Sequence, residues 1–362
     1  MKIKNSNPQK DGYYLAPEWH QHQQSYMMWP QRSDNWREGA KPAQKTFAEV
    51  AIKVSQYEPV TMLVSQSQYQ HARDVLPESI RVIEMSYNDA WMRDIGPAYL
   101  INHHDQVRTV NWQFNAWGGL IDGLYFPWDQ DNLVAKKVTD LDRFDYYDVD
   151  FVLEGCGYQT DGQRTLMAVE ESVLSEGRNG EVKRADVEEI LKKDLNVSKI
   201  IWLEQGYFMD ETNGDVDNLV NFIRPGEVAL NWTEDRTDPM FAITHRAFKI
   251  LSQATDAMGR QLKVHKVSLP RPLLATEEES QGVDPVNGLL PRYAGDRLTA
   301  SYINCYLANN AVILPIFGDQ HDQEAIDQYQ KLFPDRKIEP VYARELLLGG
   351  GNIHSIVLGV PD

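Results

Sequence analysis

The sequence predicts an α/β fold made of a repeated unit closed on itself. Three observations carry that expectation. A helix accompanied by two or three short strands recurs at wide spacing, roughly five times, along the 362 residues. The strands are short apolar runs ended by tight polar turns, a pattern that suits small sheets in a ring better than one open sheet. No shift in composition and no Pro/Gly/Ser-rich linker divides the chain, so a single domain over 1–362 is expected. In such a ring the polar stretches after the inner strands meet at one mouth, where α/β proteins place their chemistry.

In chain order, residues 1–25 are polar, and Met27-Met28-Trp29-Pro30 reads as a short strand stopped by proline. Residues 34–42 are loop-like. Pro42 can open a helix reaching Tyr57 through Phe47, Val50, Ala51 and Val54. Strands are expected at 59–64 and 80–85 with helical 67–76 between them, then β runs at 98–101 and 107–114. A helix at 133–141, strands at 149–153 and 164–169, a charged helix at 181–195 and a strand at 199–203 repeat the order. Strands at 218–223 and 227–231 lead to a helix at 238–253, with Phe241, His245, Phe248 and Leu251 on one face. Strands at 262–267, 302–308 and 311–316, a helix at 321–333 and a strand at 338–341 complete the pattern. Residues 270–298 are Pro- and Glu-rich and read as a long loop over one face.

Bulk properties exclude several classes. Apolar content of 42% and charged content of 25% are those of a soluble globular protein. A formal charge of −17 opposes a nucleic-acid or anionic-membrane partner, because phosphate-binding surfaces are basic. No apolar run approaches membrane-spanning length, and residues 1–12 lack a signal-type apolar core. Cys156 and Cys305 are too few for a disulfide framework, so a reducing, cytoplasmic setting is expected.

Four stretches share one form, a strand followed by a tight turn bearing a carboxylate or a small nucleophile-type residue. They are Trp91-x-Arg93-Asp94-x-Gly96-Pro97, Leu153-Glu154-Gly155, Asn213-Gly214-Asp215-Val216-Asp217, and Gly350-Gly351-Asn352-Ile353-His354-Ser355. Glycine admits positive φ and close backbone approach, so Gly350 and Gly351 bring main chain against a ligand or, more blandly, form a turn. His103-His104 and His20-x-His22 have no Cys or carboxylate at ligand spacing and read as surface residues. No metal and no other cofactor is expected.

Taken together and in this order, the stretches resemble the guanidino-group-modifying superfamily, and within it the agmatine deiminases. The resemblance runs from Met28-Trp29-Pro30 to Ser355 and includes 114–119 and 174–179. It implies a five-bladed α/β propeller, the pentein fold, with ββαβ-type repeats, and a homo-oligomer. It also implies hydrolysis of agmatine to carbamoylputrescine and ammonia. In that reaction a cysteine thiolate attacks the guanidinium carbon, a histidine moves protons, and carboxylates clamp the guanidinium. Asp94, Glu154 and Asp217 match the carboxylate positions, and bidentate carboxylates both orient and polarise a planar cation. Trp91 and Trp117 are candidates to stack on it, with a core role the alternative. The acidic pair Asp210-Glu211 is a candidate for the far amine of agmatine.

Three departures cut against turnover. Ser355 stands at the cysteine position, Asp215 at the histidine position, and Cys156 where the family has glycine. A serine hydroxyl needs an adjacent base, and a carboxylate with an ordinary pKa is a weak one. Losing nucleophile and base together costs on the order of 10⁴- to 10⁶-fold in rate. The expectation is therefore a silenced deiminase or a guanidino-cation binder, read as a diverged paralogue or partner of an active homologue. With reference pKa values the changes make the pocket more negative, which favours a cationic ligand. A reaction relocated to Ser355 or Cys156 is the third reading, although a thiol among carboxylates is poorly ionised and His354 is expected to face away from Ser355.

Overall fold

Five small sheets repeat one construction among the described residues, 1–286 and 292–362 of a computed structural model. Two antiparallel strands are followed by a helix, and a third strand then returns parallel to the second. The second unit, for example, pairs Ala98–Ile101 with Val107–Gln113, crosses through the helix Val134–Asp142, and returns as Asp145–Val152. The third uses Tyr158–Thr160, Thr165–Val169, Arg184–Asp194 and Lys199–Leu203. The fourth uses Val220–Arg224, Glu227–Trp232, Met240–Gln253 and Lys263–Ser268. The fifth uses Tyr306–Ala308, Ala311–Ile316, Asp322–Leu332 and Lys337–Tyr342. The parallel return needs a crossover, and the helix supplies it while covering the sheet.

The first unit closes the ring. His22–Met28 runs parallel to Val60–Val64, but its antiparallel partner is Val357–Pro361 from the far end of the chain, with Val357 opposite Met27. The helix Lys41–Val54 covers this sheet, burying Ala43, Phe47, Val50, Ala51 and Val54 at helical spacing. The architecture is a five-bladed α/β propeller, as expected.

Several boundaries differ from the sequence reading for local reasons. The expected strand at 302–308 shrinks to Tyr306–Ala308, because residues 301–304 turn inward and Ser301 Oγ accepts the Ile303 N–H at 3.1 Å. The helix Met240–Gln253 buries Met240, Ile243, Thr244, Ala247 and Leu251, not the expected Phe241–His245–Phe248 face. Those aromatic rings instead pile half-exposed against Trp232, with His245 4.0 Å from it. His22 is buried against Glu58 at 3.2 Å rather than on the surface. The stretch 270–298 contains a capped helix, Glu277–Gln281, while its residues 287–291 lie outside the described residues. Among the described residues no helix is long and apolar enough to cross a membrane.

One short turn precedes the first strand of each blade, and these turns meet on the propeller axis. Ile353–Ile356 packs on Met92–Ile95, which packs on Gly155–Gly157, which packs on Val216–Asn218. Asn304 from the fifth turn completes the ring by donating to Asp217 Oδ2 at 2.8 Å and accepting the His354 N–H at 2.9 Å.

Candidate active site

The axial turns open on one side into a cavity of about 560 Å³ including its mouth. Asp94, Asp215, Asp217, Cys156 and Ser355 line its floor, Trp91 and Trp117 its walls, and Glu211, Gly350 and Gly351 its entrance. Trp91 is locked by its own indole N–H, which donates to Asp89 at 3.1 Å, and by packing on Trp36 at 5.0 Å. The Trp117 ring stands nearly perpendicular to it, 6.4 Å away. Gly350 has φ +102°, and a Cβ on Gly351 would collide with the Trp91 ring, so both glycines are required by the geometry.

The carboxylates divide into free and occupied ones. Asp217 Oδ2 accepts from His354 Nδ1 at 2.8 Å and from Asn304, while Oδ1 is buried with no hydrogen-bond partner. Asp94 Oδ1 is likewise buried and unpartnered. Burial, then the charges of Asp217 and Glu154, push the Asp94 carboxyl up to about 8. Asp215 accepts from Ser172 Oγ at 2.5 Å and lies 3.5 Å from Arg178. Burial raises its pKa well above the usual carboxylate range despite Arg178, helped by Glu154, Asp210 and Asp94. Asp215 is therefore harder to ionise than reference values assume.

Two expected site residues stand back from the cavity. Glu154 is fully occupied by Arg178, whose Nε donates at 3.0 and 3.2 Å to its two oxygens. Asp210 caps its own turn, accepting from Thr212 and Asn218. Glu211 does reach the entrance, but pairs with Arg292 at 3.1 Å. Ser355 Oγ accepts the Asn352 N–H at 3.3 Å as a helix cap, and among the described residues no carboxylate or imidazole accepts its proton.

Four residues escaped the sequence reading. His354 lies on a helical turn, not in extended chain, and its ring joins Asp217 to Glu18, with Nε2 at 2.7 Å from Glu18. Burial and Arg93 oppose its protonation, but Glu18 and Asp217 outweigh them and raise its pKa. Glu18 and Arg178 carry no individual signal, although Arg178 falls in the resembling stretch 174–179, and Asn304 is hidden in the apolar run expected to be a strand. His354 also comes within 4.8 Å of Cys156 and Asp217, donor atom to donor atom, a grouping that sequence spacing hides. Burial and the charges of Asp217, Asp94 and Asp215 drive the Cys156 thiol well above its usual pKa.

An axial pocket of carboxylates and tryptophans in a five-bladed α/β propeller defines the guanidino-group-modifying class. The model of the Porphyromonas-type peptidyl-arginine deiminase family matches residues 14–361. A Listeria monocytogenes protein provisionally named agmatine deiminase 2 is 52% identical over 356 residues, spanning 98% of this chain and 96% of its own. The agmatine deiminase of Enterococcus faecalis superposes with a TM-score of 0.97 at 47% identity, covering 100% and 99% of the two chains. A cysteine-to-serine variant of the C. jejuni agmatine deiminase with substrate bound shares the fold, with TM-score 0.83 at 24% identity over 97% and 96%. The chain belongs to the agmatine deiminase family.

Proposed function

We propose that this chain is an agmatine-deiminase-type protein that binds a guanidino cation, agmatine first among them, and turns it over poorly or not at all. The observation that carries the reading is the pair of unpartnered buried oxygens, Asp94 Oδ1 and Asp217 Oδ1, on a cavity walled by Trp91 and Trp117. A guanidinium offers paired N–H donors to carboxylates and a flat face to aromatic rings. The names of the relatives, and the substrate held by the C. jejuni variant, favour agmatine as the ligand. Within this reading the whole chain acts as one unit, forms homo-oligomers in the cytoplasm and needs no cofactor.

Poor turnover follows from Ser355, whose oxygen serves as a cap acceptor, and from Asp215, which is tied to Ser172 and Arg178. Cys156 and His354 do not rescue the chemistry. The thiol is held protonated, and an imidazole flanked by Asp217 and Glu18 is a cation, not a base. Service as a non-catalytic partner of an active homologue is the alternative within the same pocket.

Calorimetric titration with agmatine tests the reading. Asp94→Asn and Asp217→Asn each remove one charged acceptor, worth about 1.5–3 kcal/mol, so affinity falls by roughly 10- to 100-fold in each. Unchanged affinity in both variants would contradict it.

A further inference from the structure

We propose that Cys156, His354 and Asp217 form a three-donor site for a tetrahedral divalent metal ion of the zinc class on the propeller axis, with the fourth position open to water. Cys156 Sγ, an Asp217 oxygen and a His354 ring nitrogen already lie within 4.8 Å of one another, all three side chains buried. Asp94, 6% exposed and with Oδ1 unpartnered, lines the same cavity and adds buried negative charge beside the ion. Asp217, 1% exposed, likewise has Oδ1 without a donor. Two buried carboxylate oxygens that lack a hydrogen bond, on one cavity with the thiol, favour a cation.

The donor chemistry selects the ion. Carboxylates alone would suit calcium or magnesium, whereas thiolate and imidazole with one carboxylate oxygen suit zinc. The outer shell is also in place. Glu18 sits 2.7 Å from His354 Nε2, so it holds that nitrogen as the N–H and turns Nδ1 inward as the ligand. Binding displaces the thiol proton and the Nδ1 proton to solvent, leaving thiolate, neutral imidazole and the Asp217 carboxylate around the ion. The inference goes beyond the guanidino reading and does not rest on it. Both ligands use Asp217, so ion and guanidinium exclude each other.

The full-length chain, stripped with a chelator and titrated with Co²⁺, tests the site. The wild type takes one equivalent and shows a thiolate-to-cobalt charge-transfer band with intense tetrahedral visible bands. Cys156→Gly abolishes the charge-transfer band, which separates the site from Cys305. Glu18→Gln keeps the band but weakens binding by about 10- to 100-fold, and circular dichroism checks that each variant is folded. Weak octahedral cobalt spectra in the wild type, or a band that survives Cys156→Gly, would overturn the proposal. Agmatine binding by the metal-free wild type, measured in parallel, reports on the deiminase-type reading separately.

Discussion

Asp217 divides its work between two oxygens. His354 and Asn304 grip Oδ2, and that grip fixes the carboxylate plane so that Oδ1 faces the cavity. Asn304→Ala frees Oδ2 of one donor and leaves the His354 N–H only its longer bond to the main-chain carbonyl of residue 304 at 3.3 Å, costing about 1–3 kcal/mol of stability. Agmatine affinity should fall in parallel, which thermal unfolding and calorimetry on one preparation can check; full affinity would mean that the orientation of Asp217 is set elsewhere. At this scale Asp94 and Asp217 were legible, because a turn carboxylate before an apolar run is a local pattern. Glu154 and Asp210 stand outside the cavity lining, which no local pattern reveals. What withdraws Glu154 from the pocket is Arg178, and pairing between residues from different turns leaves no mark on local spacing.

The turn carrying Trp91 is held by a carboxylate from another element. Asp131 opens the one-turn helix Asp131–Leu133 and accepts the N–H of Asn88 at 2.6 Å, that of Asp89 at 3.2 Å, and the Tyr125 hydroxyl. Its full burial raises its pKa to about 7, against the hydrogen bonds that lower it. The folded state thus holds this proton more tightly than the unfolded chain. The stability it confers is complete below about pH 4 and is lost as pH rises through 7, by at most on the order of 4 kcal/mol. Urea unfolding at pH 5 and pH 8 should show a smaller pH difference for Asp131→Asn than for wild type; equal differences would remove Asp131 as a contributor. Helices and inner strands were readable from periodicity, whereas the aromatic pile on Trp232 misled it. Phe241 and Phe248 are apolar, yet with His245 they pile half-exposed around Trp232, at the end of the middle strand of their sheet.

The ring is completed by pairing its two ends. Val357–Pro361 supplies the outer strand beside His22–Met28, and removing residues 357–362 leaves that strand with an unpaired edge. Cooperative unfolding should be lost or strongly broadened in that truncation, and a sharp transition near the wild-type temperature would show that closure is dispensable. The repeat was legible, since each blade is local in sequence. The closing strand was not, because a pairing between the two ends of the chain has no local signature.

The same closure sets Ser355 on the axis, two residues before its strand, facing the cavity that Asp215 enters from another blade. Ammonia release from agmatine by this chain, beside the double variant Asp215→His, Ser355→Cys, is the most direct test of the whole reading. The account predicts binding without appreciable release by this chain, and a gain on the order of 10⁴-fold or more in the double variant. Comparable release by the two proteins would contradict it.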